Sequence, residues 1–116
     1  MSERNLVVLR GALVNEPTAR ELPSGSVVVQ FDVTTRDDAG AQSVPVAWFD
    51  PPAGGLAAAT GEELVVVGSV RRRFFRTGGV TQSRTEVVAR SIVKASRRRS
   101  VERAVGAAVE AISRAA

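Results

Sequence analysis

The feature that most constrains this chain is a period of two in its apolar residues, interrupted at short intervals by Gly and Pro. Side chains alternate faces along a strand, so this alternation predicts strands that bury one face. Asn5–Leu13 reads as the first strand, with Val7, Leu9, Gly11 and Leu13 on one face. Asn15-Glu16-Pro17 begins a turn or irregular link, and Leu22-Pro23-Ser24-Gly25 is a hairpin-type turn. Val27–Thr35 is a second strand, Asp37-Asp38-Ala39-Gly40 a turn, and Ser43–Phe49 a third strand. Pro51–Thr60 breaks the alternation and predicts a loop with a short helical stretch near Leu56-Ala57-Ala58-Ala59. Leu64–Arg76 is a long fourth strand, and Thr77-Gly78-Gly79 turns it back into a fifth, Thr81–Lys94. Five strands with a short helix between the third and fourth is the order of elements in an OB barrel. The expected class is therefore all-β: a five-stranded OB-fold barrel over residues 1–96.

The segment 97–116 differs. After Arg97-Arg98-Arg99, Ser100 is placed to cap a helix from Val101 to about Arg114, with Glu102 in its first turn. Val101, Val105, Ala108, Ile112 and Ala115 fall on one apolar stripe. A lone helix of this length is marginal in water, so it is expected to dock on the barrel or on another subunit.

Composition narrows the function. The 116 residues fit one domain. No apolar run approaches the roughly 18 residues of a membrane span, and the N-terminus has no secretory pattern, so a cytoplasmic protein is expected. The chain has no Cys, His or Tyr and a single Lys. Disulfides and thiolate chemistry are excluded. No phosphate-binding Gly-rich loop of the Walker type occurs. Asp37-Asp38 and Glu62-Glu63 read as solvated pairs in turns, and no ligand set for a metal is visible. These features point away from an enzyme and imply no cofactor.

Charge is segregated. Residues 70–100 hold nine arginines and Lys94 against one acid, Glu86, although the net charge of the whole chain is only +4. A local positive field of this kind suits a polyanion. In the fourth strand Leu64, Val66, Gly68 and Val70 look like core. Beyond them the strand is charged on both faces, which predicts a hairpin arm projecting from the barrel. That arm would offer Arg71, Arg73, Phe75 and Arg76 to a single strand, with arginines on phosphates and a ring stacked on a base. In the third strand Val44, Val46 and Trp48 share one face, and Ala47 and Phe49 the other. Either Trp48 or Phe49 can be core, but not easily both. In the first strand Leu6 and Val8 point outward, which suggests a second burial by self-association.

These fragments, taken in order, resemble the bacterial single-stranded DNA-binding protein family. The residues that carry the likeness are Asn5-Leu6-Val7-Val8-Leu9-Arg10-Gly11-Ala12-Leu13, Glu16-Pro17-Thr18-Ala19-Arg20, Pro23-Ser24-Gly25, and the run Val28–Thr35. Later come Glu63–Arg71 and Arg84-Thr85-Glu86-Val87-Val88-Ala89. The resemblance covers about residues 5–95. It implies an OB fold, binding of single-stranded DNA by stacking and phosphate contacts, a homo-oligomer (dimer or tetramer) and work in replication, repair or recombination. It also implies that Trp48 and Phe75 are stacking aromatics, with Phe49 replacing Trp48 if the register shifts by one. Arg71, Arg73 and Arg84 fall on the family's basic path, and Leu6 and Val8 on its dimer contact. The chain departs from the family at Gln42 or Ser43, where another Trp is frequent, and in the segment after residue 96, where a basic run and a helix replace an acidic tail. Fewer stacking platforms imply weaker or more salt-dependent binding. Two other functions fit the same residues: an assembly module acting through its C-terminal helix, and an RNA binder.

Overall fold

A computed structural model describes residues 4–115, so Met1–Glu3 and Ala116 of the two expected units lie outside it. It contains β1 (Val7–Leu13), β2 (Thr18–Glu21), β3 (Val27–Asp37), β4 (Gly40–Phe49), β5 (Glu63–Thr77), β6 (Val80–Lys94) and α1 (Arg98–Ser113). The strands pair in the order β1-β5-β6-β4-β3-β2, and β1 also pairs with β3 through Ala12↔Thr34 and Leu13↔Val33. That last pairing closes β1, β5, β6, β4 and β3 into a five-stranded barrel, the OB architecture. The short β2 hangs on β3 outside the closed ring. All pairings are antiparallel except β4–β6, which is parallel at Val46↔Val87 and Ala47↔Val88.

Alternation fills the barrel. Leu13, Val29, Phe31, Val33, Val46, Trp48, Leu64, Val66, Val87 and Ala89 form one buried cluster. Most are β-branched or aromatic residues, which pack well on a pleated surface. A small closed barrel brings backbones close, and two glycines permit it. A Cβ on Gly11 would collide with the Thr34 carbonyl, and one on Gly68 with the Val88 carbonyl. Gly68 lies where the β5–β6 register shifts, skipping Arg90 on β6, a β-bulge of the kind that bends a strand.

A second apolar cluster lies outside the barrel. Val65 and Val67 point outward from β5 and meet Val101, Ala104, Val105 and the buried Ala108 of α1, with Leu6, Val93 and Ala95 at its margin. The helix therefore docks on its own barrel through Val101, Val105 and Ala108 of the expected stripe, with Ala104 beside them, while Ile112 and Ala115 of that stripe are not part of the cluster.

Three local expectations are corrected. The link after Asn15 contains a strand, β2, which sequence alternation could not reveal because all four of its residues are exposed. The segment between β4 and β5 holds no helix. Pro51-Pro52 and the positive φ of Gly54 and Gly55 (92° and 56°) break a continuous helical ladder, and the segment instead makes isolated turns, Gly55 N–H to Pro52 C=O and Glu62 N–H to Ala59 C=O, each at 2.9 Å. α1 starts earlier than Ser100. Arg97 is its N-cap, without a side-chain cap, and Val101 N–H donates to the Arg97 carbonyl at 3.0 Å. Glu102 consequently sits past the first turn and pairs with Arg98 at 3.6 Å.

The loop before β5 is tied down at its end. Ala59 N–H donates to Glu62 Oε1 at 3.2 Å, and the Lys94 ammonium lies 3.4 Å from Oε2. The Ala59 backbone donor foremost, with the charges of Lys94 and Arg97 added to it, holds the Glu62 carboxyl below its ordinary range against the opposing effect of desolvation.

Candidate nucleic-acid interface

Past Gly68, β5 leaves the core, and Val70 is already exposed, two residues earlier than the alternation suggests. From Arg71 to Thr77 it pairs only with β6, from Glu86 back to Val80. The two strands thus form a projecting ribbon, as the double-sided charge predicts. Asn5 clamps its root: its side-chain amide donates to the Val70 carbonyl at 2.8 Å and accepts from Val70 N–H at 3.0 Å.

One face of the ribbon carries a ladder of rings and guanidinium groups. The Arg71 guanidinium lies 5.2 Å from the centroid of Phe49, and that of Arg73 lies 5.8 Å from the centroid of Phe75. These are cation–π distances. Between the arginines sits Glu86, 2% exposed, which ion-pairs with Arg71 and lies 3.9 Å from Arg73. Burying a carboxylate is tolerable only with such partners. The Arg73 Nε is buried without a hydrogen-bond partner, so the stem of this side chain is packed into the face rather than free in solvent. Arg84 stands directly across from Arg73 and is exposed. The face therefore offers two aromatic platforms with cations between and beside them. That is the chemistry that takes successive bases and phosphates of a single strand.

Of the residues expected to bind, Arg71, Arg73, Phe75 and Arg84 are brought together here. Trp48 is not. It is 7% exposed and packed in the barrel core. Its neighbour Phe49, on the opposite face of β4, takes the outward place beneath Arg71, as the one-residue shift of register would have it. The signal was present in the shared face of Val44, Val46 and Trp48, but Ala47 and Phe49 made the other face equally apolar. Arg76 is separated too: strand parity puts it on the other face of the ribbon, where it donates to the Gly79 carbonyl of the turn at 3.0 Å. Glu86, which holds the ladder in place, stood in the sequence as the one acid among many arginines and inside the family-like run Arg84–Ala89, and neither signal gave it this role.

Leu6 and Val8 divide as well. Leu6 packs at the edge of the α1 cluster, so a helix of the same chain occupies part of the outward face expected to meet another copy. Val8 stays 43% exposed. Among the described residues no group of His, Cys, Asp and Glu could hold a metal ion, and no helix is long and apolar enough to cross a membrane.

Residues 4–95 match the family model described as "Single-strand binding protein family". No curated protein matches the chain.

Proposed function

Because this chain belongs to the single-strand binding protein family, we propose that it binds single-stranded DNA without sequence preference, through the ladder on the β5–β6 arm. It binds rather than catalyses; the family is not enzymatic. Phe75 and Phe49 stack on bases, and Arg71, Arg73 and Arg84 meet phosphates. The observation that carries this reading is the grouping of Phe49, Arg71, Arg73 and Phe75 on one face of the arm, with the guanidinium groups 5.2 and 5.8 Å from the ring centroids. Open arginines on the arm and a helix docked on its own barrel favour strand binding over an assembly module built on α1. Self-association, in this reading, uses the exposed Val8 rather than Leu6. The role is in replication, repair or recombination, where single strands arise.

The test is anisotropy of labelled oligothymidylate, an RNA strand of equal length and a duplex, each at low and high salt, with the wild type and Phe75→Ala. Tight DNA single-strand binding, weaker RNA and duplex binding, and a loss of about 1–3 kcal/mol in the variant are expected. Equal affinity for duplex and single strand, or an unaffected variant, would sink the proposed contacts.

A further inference from the structure

Arg72, Phe74 and Arg76 alternate with the ladder residues and so lie on the reverse face of the arm. Thr85, Ser83 and Thr81 stand directly across from them on β6. Phe74 is 66% exposed, the highest value among the large apolar side chains of the described residues. Packing does not account for it, since β5 has left the core well before this point. The whole arm from Val70 to Thr85 contains no acid, and Glu86 at its root points to the ladder face. Both outer edges of the ribbon are unpaired over this stretch, β5 from Arg71 outward and β6 from Val80 to Glu86. A flexible strand can therefore pass from one face to the other around an edge without meeting the barrel.

We propose that single-stranded nucleic acid occupies both faces of the arm, with Phe74 as a second stacking platform and Arg72 and Arg76 as its phosphate partners. The inference rests on the single-strand reading above and extends the site to a face that reading does not use. An aromatic ring between two guanidinium groups, faced by hydroxyls and free of negative charge, matches the base-and-phosphate pattern of a single strand. A protein partner would instead have to bury two arginines without a carboxylate supplied from this side. The ring of Phe74 and the ring of Phe75 come from adjacent residues, so the two platforms stand back to back and the ribbon is gripped rather than merely touched.

The test compares wild type, Phe74→Ala and Phe75→Ala with a short oligothymidylate that covers one face and a long one that spans both. Phe74 is mostly exposed, so its variant should melt like the wild type. For the long strand, Phe74→Ala is expected to weaken binding about 5- to 150-fold, the equivalent of one stack. At saturation with the short strand it should take up about half of what the wild type takes. Arg72→Gln should lower the slope of log affinity against log salt by about 0.7 for the long strand. A strand carrying iododeoxyuridine should photo-cross-link to both Phe74 and Phe75. If Phe74→Ala matches the wild type in affinity and stoichiometry while Phe75→Ala is weakened, the reverse face is no site and the ladder reading survives. If the wild type binds no strand, both readings fall. If Phe74→Ala instead changes the sedimentation of the free protein, the face is a protein contact and the inference is overturned.

Discussion

Trp48 and Phe49 are neighbours in the chain that serve opposite sides of the barrel wall. Trp48 belongs to the core, so its emission should be blue-shifted and little altered by oligothymidylate, even when labelled DNA reports binding. Strong quenching by the strand would mean that the ring leaves the core on binding. Trp48→Ala should cost about 3–5 kcal/mol in thermal or denaturant unfolding, the scale of an emptied aromatic site. Glu86 acts in the other direction, because it occupies guanidinium charge that a phosphate could use. Glu86→Gln keeps the shape and releases that charge. The expected outcome is a salt dependence of single-strand affinity steeper by about 0.7 in the log–log slope, one more neutralised phosphate. An unchanged slope in salt titrations would show that Arg71 already exchanges Glu86 for phosphate in the complex.

At the scale of elements, α1 is held by few residues. Ala108 is its one buried side chain, against Val65 and Val67. Ala108→Asp would place an unpaired charge there, at a cost of several kcal/mol. A detached helix of this length does not persist in water. Circular dichroism should therefore lose helical signal and a hydrophobic dye should bind the bared strand face, while the barrel still unfolds cooperatively. Retained helical signal would contradict the docking. The loop before β5 responds to acid. The depressed Glu62 carboxyl contributes stability that is fully present above the ordinary glutamate range and is lost as pH falls through its lower folded value. Glu62→Gln should remove that part of the acid sensitivity. Melting curves across this acid window should converge for variant and wild type at its lower end, and parallel curves throughout would exclude the linkage.

For the molecule as a whole, the long strands were legible because runs rich in β-branched and apolar residues are set off by Gly turns, even where β5 buries Val65 and Val67 under α1 as well as Leu64 and Val66 in the barrel. β5 runs Glu63–Thr77 against an expected Leu64–Arg76, and β6 runs Val80–Lys94 against Thr81–Lys94. The arm was legible too, since charge on both faces of a strand leaves nothing to bury. What stayed hidden depends on contacts distant in sequence or on residues without apolar pattern. β2 has no buried residue, and the β1–β3 closure joins only Ala12 and Leu13 to Thr34 and Val33. Trp48 and Phe49 could not be told apart because Ala47 is buried as well, leaving both faces of that strand end apolar. The ladder's register with Glu86 needed the β5–β6 pairing to be seen. The unpaired edges of the arm also bear on solubility. Rows of free N–H and C=O groups are a template for a second copy to zip onto, and natural edges are blunted by charge. Here the arginines that meet the strand also make neighbouring molecules repel one another. Replacing Arg72, Arg76 and Arg84 together by Ser, which leaves the partners of Glu86 in place, should therefore yield a protein that scatters light and precipitates with rising concentration, beyond its loss of DNA affinity. The grip on the ligand and the freedom from self-adhesion are carried by the same side chains, so neither can be tuned far without moving the other.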